Sequence, residues 1–176
     1  MNQQIIIAGF GGQGVLFTGK FMAYAGLYQG FEVSWLPSYG PEMRGGTANC
    51  NVVISDQPVG SPIVIKATSL IAMNAPSLEK FEDSVVPGGK IFVDSTLISE
   101  KVKRSDVEAF YLPATQMAND NGMKGLSNMI MLGKFIKETG ICDEGLIEKT
   151  LKKVVPPKKA ELIEKNMQAI QMGYQL

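Results

Sequence analysis

The residues with the most chemical promise lie in two glycine-rich stretches. The first, Gly9-Phe10-Gly11-Gly12-Gln13-Gly14, satisfies G-x-G-x-x-G. Glycines at this spacing allow a sharp turn and leave no Cβ between the backbone and an approaching phosphate. The same glycines serve tight packing of helix on sheet, so the pattern alone names no ligand. The second, Ser38-Tyr39-Gly40-Pro41-Glu42-Met43-Arg44-Gly45-Gly46, is dense in turn residues and carries an acid and a base. Arg44 could clamp a phosphate or carboxylate at two points. The plainer reading pairs it with Glu42 in a surface turn that contributes little.

Two nucleotide readings of the first stretch fail on their neighbours. An NAD site requires an acid at the tip of the second strand, about 20 residues on, to hold the ribose hydroxyls. That strand ends Trp35-Leu36-Pro37-Ser38, and Glu32 falls at its other end. The run from Gly14 to Lys20 matches G-x-x-x-x-G-K, but Phe21 stands where a phosphate loop needs a serine or threonine for Mg²⁺. Its intervening residues are mostly bulky and apolar, which fits a buried helix face. A third reading has the loop pack the sheet and face a ligand or a partner subunit at the strands' carboxyl ends.

The absence of histidine removes the Ser-His-Asp and Cys-His nucleophile systems, the usual zinc sites and the commonest neutral-pH base. No acidic pair is marked as special. Cys50 and Cys142 are too far apart in sequence for an iron–sulfur or zinc motif and read as core residues. Chemistry in which this chain takes part is therefore expected to sit elsewhere.

The elements that must position these loops follow from the apolar pattern. Residues 4–8 form a short buried strand, and helical spacing runs from 15 to 29, closed by Gly30. A half-buried strand is expected over 31–36, stopped by Pro37, and another over 47–55. Residues 61–65 read as a hairpin partner or edge arm. Further strands are expected over 69–73, 90–94, after a Pro87-Gly88-Gly89 turn, and 107–112, with a helix over about 76–83. From residue 115 onward the pattern is helical: 115–121, 126–139, 143–154 and 158–175. The last helix carries an apolar stripe, Ala160, Ile163, Met167, Ile170 and Tyr174. Lys152, Lys153, Lys158 and Lys159 read as a solvated linker rather than an anion site, since no aromatic residue is interleaved in sequence. Strands alternating with helices, then a helical C-terminal segment, predict one domain over 1–176. It is a three-layer αβα sandwich on a mainly parallel, Rossmann-like sheet.

Lysine plus arginine equals aspartate plus glutamate at 17 each, so nothing favours nucleic acid or an anionic membrane as partner. No apolar run nears the ~18 residues of a membrane helix, and no signal-peptide pattern is present. The expectation is a soluble, cytoplasmic chain.

Together, the two glycine-rich stretches strongly resemble the gamma subunit of 2-oxoacid:ferredoxin oxidoreductases and the equivalent domain of single-chain pyruvate:ferredoxin oxidoreductase. The likeness continues through Ala72-Met73-Asn74-Ala75-Pro76, Pro87-Gly88-Gly89, Asp94, Leu112-Pro113-Ala114-Thr115 with Ala118, Asn128 with Leu132-Gly133, and Asn166 with Ala169 and Gly173. The resemblance implies a complex that oxidatively decarboxylates a 2-oxoacid to an acyl-CoA and passes electrons to ferredoxin. Thiamine diphosphate and [4Fe-4S] clusters lie on other chains or domains in that family, so no cofactor is expected on this chain alone. The implied partners are alpha and beta subunits, with a ferredoxin-like delta subunit as a further candidate. The form of the second loop looks most like enzymes of 2-oxoglutarate, then of branched-chain 2-oxoacids such as ketoisovalerate, then of pyruvate. The candidate residues facing a subunit or CoA are Gly9, Gly11, Gly12, Gln13, Gly14, Tyr39, Gly40, Glu42, Arg44, Gly45 and Gly46. No residue is expected to be catalytic or to bind metal. The alternative is an independent nucleotide-binding or regulatory module.

Overall fold

The computed structural model describes residues 2–38 and 47–176. Its strands are β1 (Asn2–Gly9), β2 (Glu32–Ser38), β3 (Ala48–Ser55), β4 (Ala67–Ala72), β5 (Val85–Asp94) and β6 (Glu108–Leu112). They form one sheet in the order β2-β3-β1-β4-β5-β6. β1, β4, β5 and β6 are parallel neighbours. β3 runs against both β1 and β2, so β2 points the same way as β1. The α/β class and the mainly parallel sheet hold, with β3 as the reversed strand.

The run Ile5-Ile6-Ile7-Ala8 is buried at every position because both faces of the sheet are covered. Ile5 and Ile7 join one core, built with α1 (Val15–Tyr28), α3 (Ala114–Asp120), α4 (Ser127–Thr139), α5 (Ile147–Val154) and α6 (Leu162–Tyr174). Ile6 and Ala8 join the other, roofed by α2 (Ala75–Phe81) and by Val64, Ile98 and Val102 from irregular segments. The layers are unequal: of the described α-helices, five lie on one face, and one short helix with irregular segments on the other.

Four local expectations are corrected. Pro37 does not stop β2, which continues to Ser38; β2 is an edge strand, where a residue without an N–H is tolerated. Residues 61–65 form no strand, and instead Val64 plugs the second core while Ile63 and Ile65 stay exposed. Pro87-Gly88-Gly89 is no turn before a strand. It lies inside β5, where the register with β4 shifts between Ala67 and Ser69. The stripe buried in α6 is Asn166, Ala169, Ile170 and Gly173; Ala160 is exposed, and Ile163, Met167 and Tyr174 are half-buried.

Small residues set that last face. α6 crosses α4 so closely that a Cβ on Gly133 would lie 2.0 Å from the Ile170 carbonyl oxygen, and one on Gly173 1.8 Å from that of Ile130. Backbone meets backbone there, so the helix turns its small side inward and its methionines to the flanks.

Candidate functional site

The carboxyl ends of β1, β2, β4, β5 and β6 share one sheet edge with the start of β3, because Asn49 of β3 stands opposite both Ala8 and Ser38. The chain leaves this edge at Ser38 and returns at Thr47. Tyr39, Gly40, Glu42, Arg44, Gly45 and Gly46 lie outside the described residues. Glu32 pairs with Ser55 and stands at the opposite edge. β2 is also separated from β1 by β3, about 10 Å at two strand spacings. An NAD ribose held at β1 would find no carboxylate from β2.

At β1 the first stretch turns into α1. Of the stretch Gly14 to Lys20, which mimics a phosphate loop in spacing, everything after Gly14 is the start of that helix, with Thr18 and Gly19 buried. Gly14 precedes it at φ 75°, and a Cβ there would lie 2.3 Å from Asn128 Nδ2. Asn128 of α4 donates from that nitrogen to Gly14 O (3.3 Å) and Thr18 Oγ1 (3.1 Å). Thr18 Oγ1 itself donates to Gly14 O at 3.1 Å. Asn128 Oδ1 is buried with no partner. Gly11 and Gly12 face open space, and Phe10 is 46% exposed.

β1 and its parallel neighbour β4 send their helices to opposite faces, α1 into the first core and α2 into the second. Such a parting of adjacent strand tips is where open α/β sheets bind ligands. Here a side chain of the loop itself bridges the two tips. Gln13 Oε1 accepts from Phe10 N at 2.6 Å, and Gln13 Nε2 donates to Met73 O at 3.0 Å. A Cβ on Gly9 would lie 2.6 Å from Gln13 Oε1 and 2.8 Å from Met73 Cβ.

Further along the edge, Asp94 is fully buried and ties the end of β5 to the first turn of α3. Its Oδ2 accepts from Thr115 Oγ1 at 2.6 Å, and its Oδ1 from Thr96 N and Thr115 N. At β4, Asn74 caps α2 by accepting from Ser77 N at 2.8 Å. Both polar residues therefore hold the edge in shape.

A cavity of about 310 Å³ opens against Gly14, with Phe17, Asn128, Lys159, Leu162 and Asn166 in its wall. α1, α4 and α6 all begin at its border, so the positive ends of three helices lie beside it, with Lys159 as a basic residue of its wall. Among the described residues no carboxylate lines it. A ligand with an apolar body and an anionic group suits such a wall. The sequence reading missed this feature: Asn128 entered only as part of a resemblance, and Lys159 was assigned to a linker. Lys153 lies over the Tyr24 ring and Lys149 over Tyr28, toward the C-terminal end of α1 and outside the wall of this cavity.

The two cysteines do not fit a cluster. Cys50 Sγ donates to Val15 O and Cys142 Sγ to Asp143 O, and burial pushes both thiols up to about 12. Among the described residues no group of three acidic or cysteine side chains could hold a metal ion, and no helix is long and apolar enough to cross a membrane.

The family model described as pyruvate ferredoxin/flavodoxin oxidoreductase matches residues 4–176. The 2-oxoglutarate synthase subunit KorC of Methanocaldococcus jannaschii is 36% identical over 179 residues, covering 100% of this chain and 94% of its own. The ketoisovalerate oxidoreductase subunit VorA of Methanothermobacter thermautotrophicus is 41% identical over 97% of this chain. The chain spans only 35% of that relative's length. Among solved structures, the keto/oxoacid ferredoxin oxidoreductase gamma subunit of Geobacter sulfurreducens superposes with a TM-score of 0.84 at 28% identity, over 98% of this chain and 96% of its own. The 2-oxoglutarate:ferredoxin oxidoreductase of Magnetococcus marinus, solved with 2-oxoglutarate, coenzyme A and succinyl-CoA bound, shares the fold. Its TM-score is 0.83 at 23% identity, over 99% of this chain and 30% of that one.

Proposed function

The chain belongs to the pyruvate ferredoxin/flavodoxin oxidoreductase family, and from that premise we propose that it is the gamma subunit of a multisubunit 2-oxoacid:ferredoxin oxidoreductase. The complex decarboxylates a 2-oxoacid, 2-oxoglutarate first among the candidates, forms the acyl-CoA and passes two electrons to ferredoxin. The full-length match to a 2-oxoglutarate synthase subunit supports that ranking. Alpha and beta subunits carry thiamine diphosphate and the [4Fe-4S] clusters, and a ferredoxin-like delta subunit completes the set. This chain works in the cytoplasm and is inactive alone.

Its own contribution is at the carboxyl edge. The glycine loop and residues 39–46 face the thiamine-bearing subunits and border the path of CoA, with Arg44 as the clamp for a CoA phosphate. The observation that carries this reading is the cavity against Gly14, bordered by three helix N-termini and Lys159 and, among the described residues, by no carboxylate. Gly11 adds to it. A Cβ there meets no described residue and its φ is not positive, so nothing in the described fold requires glycine at that position. Close approach by a neighbour would.

The test uses the assembled complex, purified from its own source and composition-checked by native mass spectrometry. Gly11→Trp and Arg44→Ala should each impair assembly or raise the KM for CoA by about tenfold, the worth of one good polar contact. A complete complex with unchanged kinetics in both variants would sink the assignment. The reading as an independent nucleotide-binding module predicts instead that the free chain binds a nucleotide. The Gln13 bridge across the β1–β4 tips disfavours it.

A further inference from the structure

Gln13 is held at three points, each a backbone group of this chain. Its Oε1 accepts from Phe10 N, its Nε2 donates to Met73 O, and its own N–H donates to Phe10 O at 3.2 Å. A carboxamide suits the gap because it accepts on one side and donates on the other. A carboxylate would set a second acceptor against Met73 O, and a thioether of the same length would leave both backbone groups unmatched. The side chain thereby occupies the parting between β1 and β4 where sheets of this kind take nucleotides. The loop is closed from within, and its outer residues, Gly11 and Gly12, are left facing open space.

We propose that Gln13 is a positioning residue: it seats the glycine loop so that the backbone around Gly11 and Gly12 is presented to the CoA path, and it touches neither CoA nor a neighbouring subunit itself. This rests on the reading of the loop given above. Its two side-chain bonds reach in different directions, one within the loop and one to a strand tip 60 residues away. Losing them frees the loop from β4 while α1, anchored through Thr18 and Asn128, stays in place.

The experiment is Gln13→Met in the assembled complex, read by steady-state kinetics and by amide hydrogen exchange over residues 10–14. The expected result is faster exchange in that stretch and a KM for CoA raised by about tenfold, with kcat at saturating CoA kept within about twofold. Unchanged exchange overturns the inference whatever the kinetics. Faster exchange with an unchanged KM overturns it too, and Gly11→Trp then separates the causes. If that variant also leaves the KM for CoA unchanged, the loop does not border the CoA path. If it raises the KM, only the part given to Gln13 falls. Should Gln13→Met fail to assemble, Gln13→Asn, one methylene shorter and unable to span the gap, gives the same readings.

Discussion

Gly14 meets two separate demands, a left-handed backbone and an Asn128 side chain pressed against its α-carbon. Gly14→Ala should therefore destabilise the chain by about 3 kcal/mol, combining backbone strain with a clash, as read by urea unfolding. Gly11→Ala should lie within about 0.5 kcal/mol of the parent in the same assay, because its Cβ would enter open space. Cys50 offers a pH test. Its thiol ionises near 9.0 in the unfolded chain and at about 12 when buried. Between those values the folded state holds a proton that the unfolded state has lost, so stability falls as pH rises through that window. The drop in urea midpoint from about pH 8 to about pH 10 should be smaller in Cys50→Ala. Much of this scale was legible in advance, including the glycine loop, the poor fit to NAD and the inert cysteines. The roles of Gln13 and Asn128 were not. Their partners, Met73 and Gly14, lie 60 and 114 residues away, and no local pattern marks such a bond.

Among the elements, the α4–α6 crossing is the least forgiving. The atoms that a Cβ at residue 133 or 173 would meet are backbone carbonyls inside helices, which cannot swing aside. Gly173→Ala should cost about 3 kcal/mol or more and lower the Tm accordingly, with α6 becoming the first segment released to protease. The periodic elements were readable from sequence because burial on one or two faces writes itself into spacing. What escaped depends on neighbours. Pro37 sits within a strand only because that strand has an open edge, and residues 87–89 sit within β5 as its extra residues, between Val85 opposite Ala67 and Lys90 opposite Ser69. The stripe proposed for α6 counted large apolar residues, whereas close approach to α4 selected the small ones.

At the scale of the whole molecule, the described α-helices divide five to one between the faces of the sheet, while the carboxyl edge gathers the glycine turn, the Gln13 bridge and the cavity against Gly14. α4 connects distant parts of this plan. Its first turn braces Gly14 through Asn128, and its middle abuts α6 at Gly133. Fold class was evident from the alternation of strands and helices. The strand order was not, because nothing in the apolar pattern distinguishes a reversed β3 from a parallel one.

That reversal has a practical consequence. Strands β2 and β3 are adjacent and antiparallel, so the chain between Ser38 and Thr47 joins neighbours on one edge and need not cross the sheet. Exchanging residues 39–46 therefore asks for no change in the two strands, whose ends, Ser38 and Asn49, already stand side by side. Transplanting residues 39–46 from a ketoisovalerate enzyme's homologous subunit should leave the Tm within a few degrees. The measurement that matters is the preference of the hybrid complex across a panel of 2-oxoacids: a shift toward the donor's substrate would show that selectivity travels with residues 39–46, and an unchanged preference would place it outside them.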